Sequence, residues 1–475
     1  MKLPHPFRAR GPRALLALGL ILAGCAGPAP TPGGLAVPEG AFRHAEGEPF
    51  RAEGPWWRDW GDPALTALVE RALGDNLDVR AALARVRQAQ AGWAAQASRQ
   101  GPTVDAQGTV SDQRSGLPEA VKRGQPDVRA LRLGLDSSWE LDLFGGVRAA
   151  VQAAELDAQA AALGVDGARL LVAGETARHY LLWRGAREQL ALLDALHERL
   201  REAEGLQARR LAAGEGSALA LRRAEDERLA LDTQRPPLRT LIAASEARLA
   251  VLSGRSPSEA LPELAGAGRQ QLERPRPGPG LPSELLRRRP DVQAAERQWR
   301  AAGARRAEAE AQRWPRLFLS ALFGGQDLTL NGAALAPVRF SSAALAFRLP
   351  VFDGGRTRAG IERAGAREAE AEHALQAAVL RALEEVETAL VARGQDGQQR
   401  DLAEATLASR QAQRGHAQAL WQAGQTGRLP LLEAERGVLA AELALSAARH
   451  REAQTTVQLM LALGGGWSLP PQATR

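Results

Sequence analysis

The stretch 128–148, VRALRLGLDSSWELDLFGGVR, constrains this chain more than any other. Leu131, Leu133, Leu135, Trp139, Leu141 and Leu143 alternate with Arg132, Gly134, Asp136, Ser138, Glu140 and Asp142. That period of two predicts a β-strand with one apolar and one polar face. After Gly145 and Gly146 the pattern changes to Ala-rich helical spacing, and no proline occurs from Val147 to Arg235. A strand therefore feeds directly into a helix of about 65 residues, roughly 100 Å at about 1.5 Å per residue.

A strand with its apolar side chains on one face and polar ones on the other suits a membrane barrel, where one face meets lipid and the other a wet lumen. An ordinary sandwich strand has the same alternation, so the neighbouring segments decide. Within the long helix Leu182, Ala186, Leu193, Leu196 and Leu200 form one stripe, and Leu163, Leu170, Leu181 and Leu192 form another about 100° round. Two seams predict two neighbours, as in a tube one helix thick.

The N-terminus reads as a targeting signal. Lys2, Arg8, Arg10 and Arg13 precede an apolar run from Ala14 to Ala23, too short to span a bilayer as a helix. The run closes on Leu22-Ala23-Gly24-Cys25, which resembles the lipobox of bacterial lipoproteins. Residues 1–24 are thus expected to be a signal peptide and Cys25 an acylated anchor, the only covalent group expected and the chain's one cysteine. Residues 25–55, rich in Pro and Gly, read as a lipid tether.

Asp62-Pro63 then opens a helix, with Asp62 at the N-cap and Pro63 at the first helical position, and a second helix follows from Asp78 to about Arg99, where Pro102 stops it. The first structural repeat spans 56–255, with a β-hairpin at 103–143, a long helix at 146–211, a tip at 212–218 and a return helix kinked at Pro236-Pro237. Residues 256–282 form a linker. The second repeat spans 283–467, with a hairpin at 316–352, a long helix at 356–422, a tip at 423–428 and its own return helix; residues 468–475 are a tail.

Three blocks carry the duplication. Asp78-Val79-Arg80-Ala81-Ala82 returns as Asp291-Val292-Gln293-Ala294-Ala295 after 213 residues. Phe144-Gly145-Gly146-Val147-Arg148 returns as Phe352-Asp353-Gly354-Gly355-Arg356 after 208, and Ala213-Gly214 with Leu219 and Leu221 as Ala423-Gly424 with Leu429 and Leu431 after 210. A nearly constant offset in one order marks a two-fold internal repeat. Two hairpins supply four strands, too few to close a membrane barrel, and lipid tolerates no open edge. An oligomer is expected.

Other functions are disfavoured. The net charge of +6 is dispersed over 475 residues of which only 4 % are aromatic, unlike a nucleic-acid surface. No metalloprotease, nucleophile-elbow or phosphate-loop motif occurs, so no enzyme is expected. Two methionines argue against a dedicated exporter of soft metal ions.

Trp56-Trp57, Asp62-Pro63, Asn76-Leu77-Asp78, Trp139-Glu140-Leu141-Asp142-Leu143-Phe144-Gly145, the run from Gly280 to Asp291 (GLPSELLRRRPD) and Leu463-Gly464-Gly465-Gly466-Trp467 together resemble the TolC-type outer-membrane factors, in the lipoprotein branch similar to OprM and NodT. The resemblance covers Trp56 to Trp467. It implies an α+β membrane protein: a homotrimer whose four strands per subunit make a twelve-stranded outer-membrane β-barrel, continued by a periplasmic α-barrel of long coiled-coil helices. It further implies the exit duct of a tripartite efflux pump, working with a periplasmic adaptor and an inner-membrane pump of the resistance-nodulation-division class. A type I secretion duct and a rod-like structural lipoprotein of the envelope are the alternatives.

The resemblance places adaptor docking at the two tips, on Gly214, Gly216, Ser217, Leu219 and Leu221, and on Gly424, Thr426, Gly427, Leu429 and Leu431. Glu433 aligns with an acidic position that rings the periplasmic constriction, and three carboxylates about a three-fold axis would favour cations. Pro430 replaces an acid found in some relatives, and Arg428 adds positive charge beside the ring.

Overall fold

The computed structural model describes residues 42–44, 55–118, 126–267, 272–273, 275, 280 and 282–465, and the structural statements below concern these. Cys25, the leader, most of the tether, Gly466, Trp467 and the tail lie outside the described residues. Of the tether, Phe42 is buried, and Arg43 N–H donates to Glu387 Oε1 at 2.6 Å.

Helices α1 (Pro63–Asp75) and α2 (Leu77–Ala97) lead into strands β1 (Thr103–Gln113) and β2 (Val128–Leu141). Asp62 caps α1, its Oδ1 accepting from Ala64 N at 2.9 Å, and Asn76 caps α2 in the same way. Helix α3 (Gly146–Ala212) runs 67 residues to the first tip. The chain returns through α4 (Ala218–Asp232) and α5 (Arg235–Leu252), the break falling where Pro236 and Pro237 open a new first turn.

Helices α6 (Pro282–Arg288) and α7 (Pro290–Ala311) precede strands β3 (Arg316–Leu330), β4 (Ala333–Ala334) and β5 (Val338–Arg348). Asn331 and Gly332, both at positive φ, make the tight turn after β3. Helix α8 (Arg356–Gln422) again runs 67 residues, and α9 (Arg428–Ala462) returns unbroken. Among the described residues no helix is long and apolar enough to cross a membrane.

The strands form one antiparallel sheet in the order β1-β2-β3-β5, with the two-residue β4 also on β3. Thr103 lies opposite Ser138, Val128 opposite Leu330 and Arg316 opposite Arg348. Directly opposed residues share a face. Val104, Val110, Leu131, Leu133, Leu135, Leu317, Leu319, Phe323, Leu345 and Phe347 thus lie on one face, and Asp105, Gln107, Thr109, Asp136, Ser138, Ser320 and Gln326 on the other. Strands β1 and β5 each have one strand neighbour among the described residues, so the sheet has two open edges.

Helix α3 is the hub, packing against α1, α2, α4, α5, α7 and α9. The largest core lies midway along it, where Trp56, Trp57, Trp60, Leu65, Leu68, Tyr180, Trp183, Leu249 and Met460 meet. A sheet exposing its apolar face above long helices with only small clusters between them is the arrangement of a wall rather than a globule.

Candidate functional site

The two tips are built alike. At the first, Gly214 at φ +75° donates N–H to Leu211 O at 3.0 Å, and Glu215 N–H reaches Arg210 O at 2.9 Å. At the second, Gly424 at φ +70° donates to Trp421 O at 3.0 Å and Gln425 to Leu420 O at 2.9 Å. This paired bonding closes a helix end and requires the left-handed backbone that glycine adopts without strain. Nothing lies within 4 Å of a Cβ built on Gly214 or Gly424, so backbone angle rather than crowding calls for glycine there. Gly216 differs, since its Cβ would stand 2.8 Å from Leu211 N.

The starts of the return helices diverge. Ser217 Oγ accepts from Ala220 N at 3.2 Å, capping α4, whereas Gly427 caps α9 with no side chain. Leu219 is exposed, Leu221, Thr426 and Leu429 are half-buried, and Leu431 is 2 % exposed. Leu431 therefore belongs to the packing of α9 and offers a partner no surface, which corrects its place among the docking residues. Leu420 and Trp421, exposed on the last turn of α8, add apolar surface that the glycine-turn pattern does not signal, since they precede it.

Above the second tip Glu433 stands exposed on α9. Arg428 turns away from it: its Nε donates to Glu202 Oε1 of α3 at 3.0 Å and its Nη1 to Glu435 Oε1 at 3.1 Å. Hydrogen bonding from the Arg428 guanidinium holds the Glu202 carboxyl below its usual range. Arg428 so ties α9 to α3, and its charge is offset by two carboxylates instead of opposing Glu433.

Higher up, contacts that short-range patterns do not signal fix the helices together. Tyr180 donates its hydroxyl to Asp62 Oδ2 at 2.6 Å and Arg184 donates Nη1 to the same oxygen at 2.6 Å, so the cap of α1 also anchors α3. Gly174 and Gly185 receive Leu461 and His450 of α9: a Cβ on Gly174 would lie 2.4 Å from Leu461 Cδ2, and one on Gly185 2.6 Å from His450 Cγ. His450 Nε2 also meets Glu188 Oε2 at 2.8 Å. In the sheet, Gly134 opposes Gly324, and the Phe340 ring fills the space, its Cζ 2.6 Å from a Cβ on Gly324. Among the described residues no group of His, Cys, Asp and Glu could hold a metal.

Residues 68–255 and 281–465 match the sequence profile of the family described as outer membrane efflux protein. The chain belongs to that family. It is an outer-membrane efflux channel and not an enzyme, and its TolC-type fold accounts for a lipid-facing sheet above long helices. The channel is 33% identical to the pyoverdine export outer membrane protein OpmQ of Pseudomonas aeruginosa, over 96% of each chain. It is 30% identical to the outer membrane protein OprJ of the same species, over 86% of this chain and 85% of that one. Among solved structures, the outer-membrane channel OprN superposes with a TM-score of 0.80 at 30% identity, over 91% of this chain and 98% of that one.

Proposed function

We propose that three copies of this efflux channel close a twelve-stranded barrel in the outer membrane and a twelve-helix tube below it, forming the passive exit duct of a tripartite pump. The observation that carries the reading is the four-strand path with one apolar face and two open edges, joined to two helices of 67 residues each. Unpaired strand edges in lipid cost several kcal/mol per backbone group, and closure by further copies removes that cost.

In this reading Cys25 carries the lipid that holds the N-terminus in the membrane, and the tips meet a periplasmic adaptor that recruits an inner-membrane pump of the resistance-nodulation-division class. The cargo is small molecules. Leu219, Leu420 and Trp421 supply apolar contact at the tips, while Gly214 and Gly424 keep the turns low enough for a helical hairpin to approach. Three copies of Glu433 ring the constriction and favour cations.

The decisive experiment deletes the gene and scores a panel of drugs, dyes and solvents. Increased sensitivity that the intact chain restores, together with a heat-modifiable trimer in outer-membrane extracts, is the expected result. A water-soluble monomer obtained without detergent after removal of residues 1–25 would overturn it.

A further inference from the structure

The apolar face of the sheet is bordered differently at its two ends. From Leu131 to Leu141 on β2 that face carries no charged side chain, and the same holds from Val104 to Val110 on β1, from Leu317 to Gly325 on β3 and from Ser341 to Phe347 on β5. The run from 131 to 141, at about 3.4 Å per residue and a tilt of about 40°, makes a band roughly 25 Å tall, which is the height that hydrocarbon requires. The end nearest the helices closes on aromatic rings. Trp139 and Phe347 lie on the apolar face, Trp139 donating Nε1–H to Gln100 O at 3.0 Å, and just beyond them Phe144 stacks on Trp314 with ring centroids 5.5 Å apart. Rings with an apolar body and a polar tip suit a lipid–water border.

At the hairpin end charge takes the place of rings. Beyond Phe323 the apolar face carries no aromatic side chain among the described residues, and Asp112, Arg129, Asp327 and Arg339 stand on it instead. Arg114 and Arg129 both donate to Asp112 Oδ2 at 3.2 Å, so two guanidinium groups share one carboxylate and keep N–H donors to spare. Arg339 is exposed and has no ion pair or hydrogen bond among the described residues, and Asp327, diagonal to it and to Arg129, pairs with neither. Three arginines against two aspartates leave the border positive. Gly325 sits between Leu133 and Arg339, and Leu133 leans the other way, its Cδ2 3.1 Å from a Cβ built on Gly108. A Cβ on Gly325 would meet only Val338 O, at 3.7 Å, which leaves a recess lined by Leu133, Phe323 and Arg339.

We propose that this border binds a bisphosphorylated glycolipid of the outer leaflet, one phosphate on Arg339, the other on the Arg114–Arg129 pair, and an acyl chain in the recess over Gly325. An arginine fork donates two parallel hydrogen bonds to a phosphate. At the edge of the band such side chains are tolerated, whereas at its middle they are not. The contrast between the two borders argues for the lipid class, because a bilayer with the same headgroups in both leaflets would ask for the same border twice. So does spacing. Arg129 and Arg339 lie two strands and four residues of β3 apart, about 17 Å between Cα atoms, a span that one phosphodiester cannot bridge and a two-sugar headgroup with a phosphate at each end can. Closing a ring of copies pairs strand edges and leaves this outward face against lipid.

Native mass spectrometry of the full-length channel in detergent, titrated with bisphosphorylated lipid A, tests the site. That lipid is expected to bind about tenfold more tightly than the same lipid stripped of both phosphates. Arg129→Gln with Arg339→Gln should abolish the preference. Arg339→Gln alone, which breaks no contact among the described residues, should lower it about threefold, so the test stands even if the double variant fails to assemble. Arg132→Gln, at the same height but on the polar face beside the Phe340 ring, should leave it intact. Equal binding of the stripped lipid, equal binding of phosphatidylglycerol, displacement by inorganic phosphate, or an equal loss in Arg132→Gln would each overturn the proposal. The inference rests on the sheet lying in a membrane barrel, and sizing of the untreated channel separates the two: a detergent-stable trimer indifferent to phosphate leaves the barrel standing without this site, and a water-soluble monomer removes both.

Discussion

Asp62 shows how one side chain can hold two elements. It caps α1, accepts from Tyr180 and pairs with Arg184 while only 6 % exposed. Burial and the neighbouring carboxylate push the Tyr180 hydroxyl well above the usual phenolic range, so it remains a donor at any physiological pH. Asp62→Ala removes the cap and takes from Arg184 the carboxylate it donates to. A loss of about 3–5 kcal/mol is expected for breaking a buried pair in this way, read as a lower thermal midpoint in detergent. The Asp-Pro pair made the cap legible in sequence; Tyr180 and Arg184, more than 110 residues away, were not, because no local period links them.

A second prediction at this scale concerns acid. Arg428 depresses the Glu202 carboxyl, so the stabilisation is fully present above the unfolded carboxylate range and is lost as pH falls through the lower folded value. Acid should therefore loosen the α3–α9 tie above the second tip. In planar bilayers, conductance should rise as pH is lowered, and Arg428→Ala should remove much of that dependence. Glu433→Gln, outside this tie, should instead reduce cation selectivity.

Among the elements, the strands and long helices were readable to within a few residues. Alternation predicted a hairpin at 103–143, and β1 and β2 span 103–113 and 128–141. Long helices expected at 146–211 and 356–422 occupy 146–212 and 356–422. Amphipathic period and glycine stops are local signals, which is why they sufficed. Interhelical fit is not local. Gly174 and Gly185 look like flaws in a helix until Leu461 and His450 are seen seated on them. Gly185→Leu should force α9 outward and cost about 1–3 kcal/mol by overpacking, measured as a drop in thermal midpoint.

Tip glycines act differently. Gly214→Glu with Gly424→Glu places side chains on a left-handed backbone at about 1–2 kcal/mol each. Because nothing crowds either position, the channel should still assemble. Efflux should nonetheless fall to the level of the deletion strain, scored by drug susceptibility at equal trimer abundance. Normal efflux would exclude the tips from docking.

For the whole molecule, the repeat was legible, and of its three sequence offsets the tip blocks already gave the 210 of the helices while the Phe block did not. Matching Phe144 with Phe352 gave 208, whereas the helix ends and strand register give 210. Strand and helix keep the same 210 offset in both halves, so nothing is inserted between them; β5 instead stops pairing earlier, seven residues before Gly355 where β2 stops four before Gly145, with Pro350 in the unpaired stretch. Sequence identity followed the loop, and geometry followed the ladder.

The open edges of β1 and β5 also bear on inheritance of a defect. In the proposed ring of three, every subunit lends one edge to each neighbour, so a single faulty edge spoils the whole. A cell making equal amounts of sound and edge-blocked chains would retain only about one ring in eight built wholly from sound subunits. An altered allele of this kind should therefore behave as a poison rather than as a silent loss.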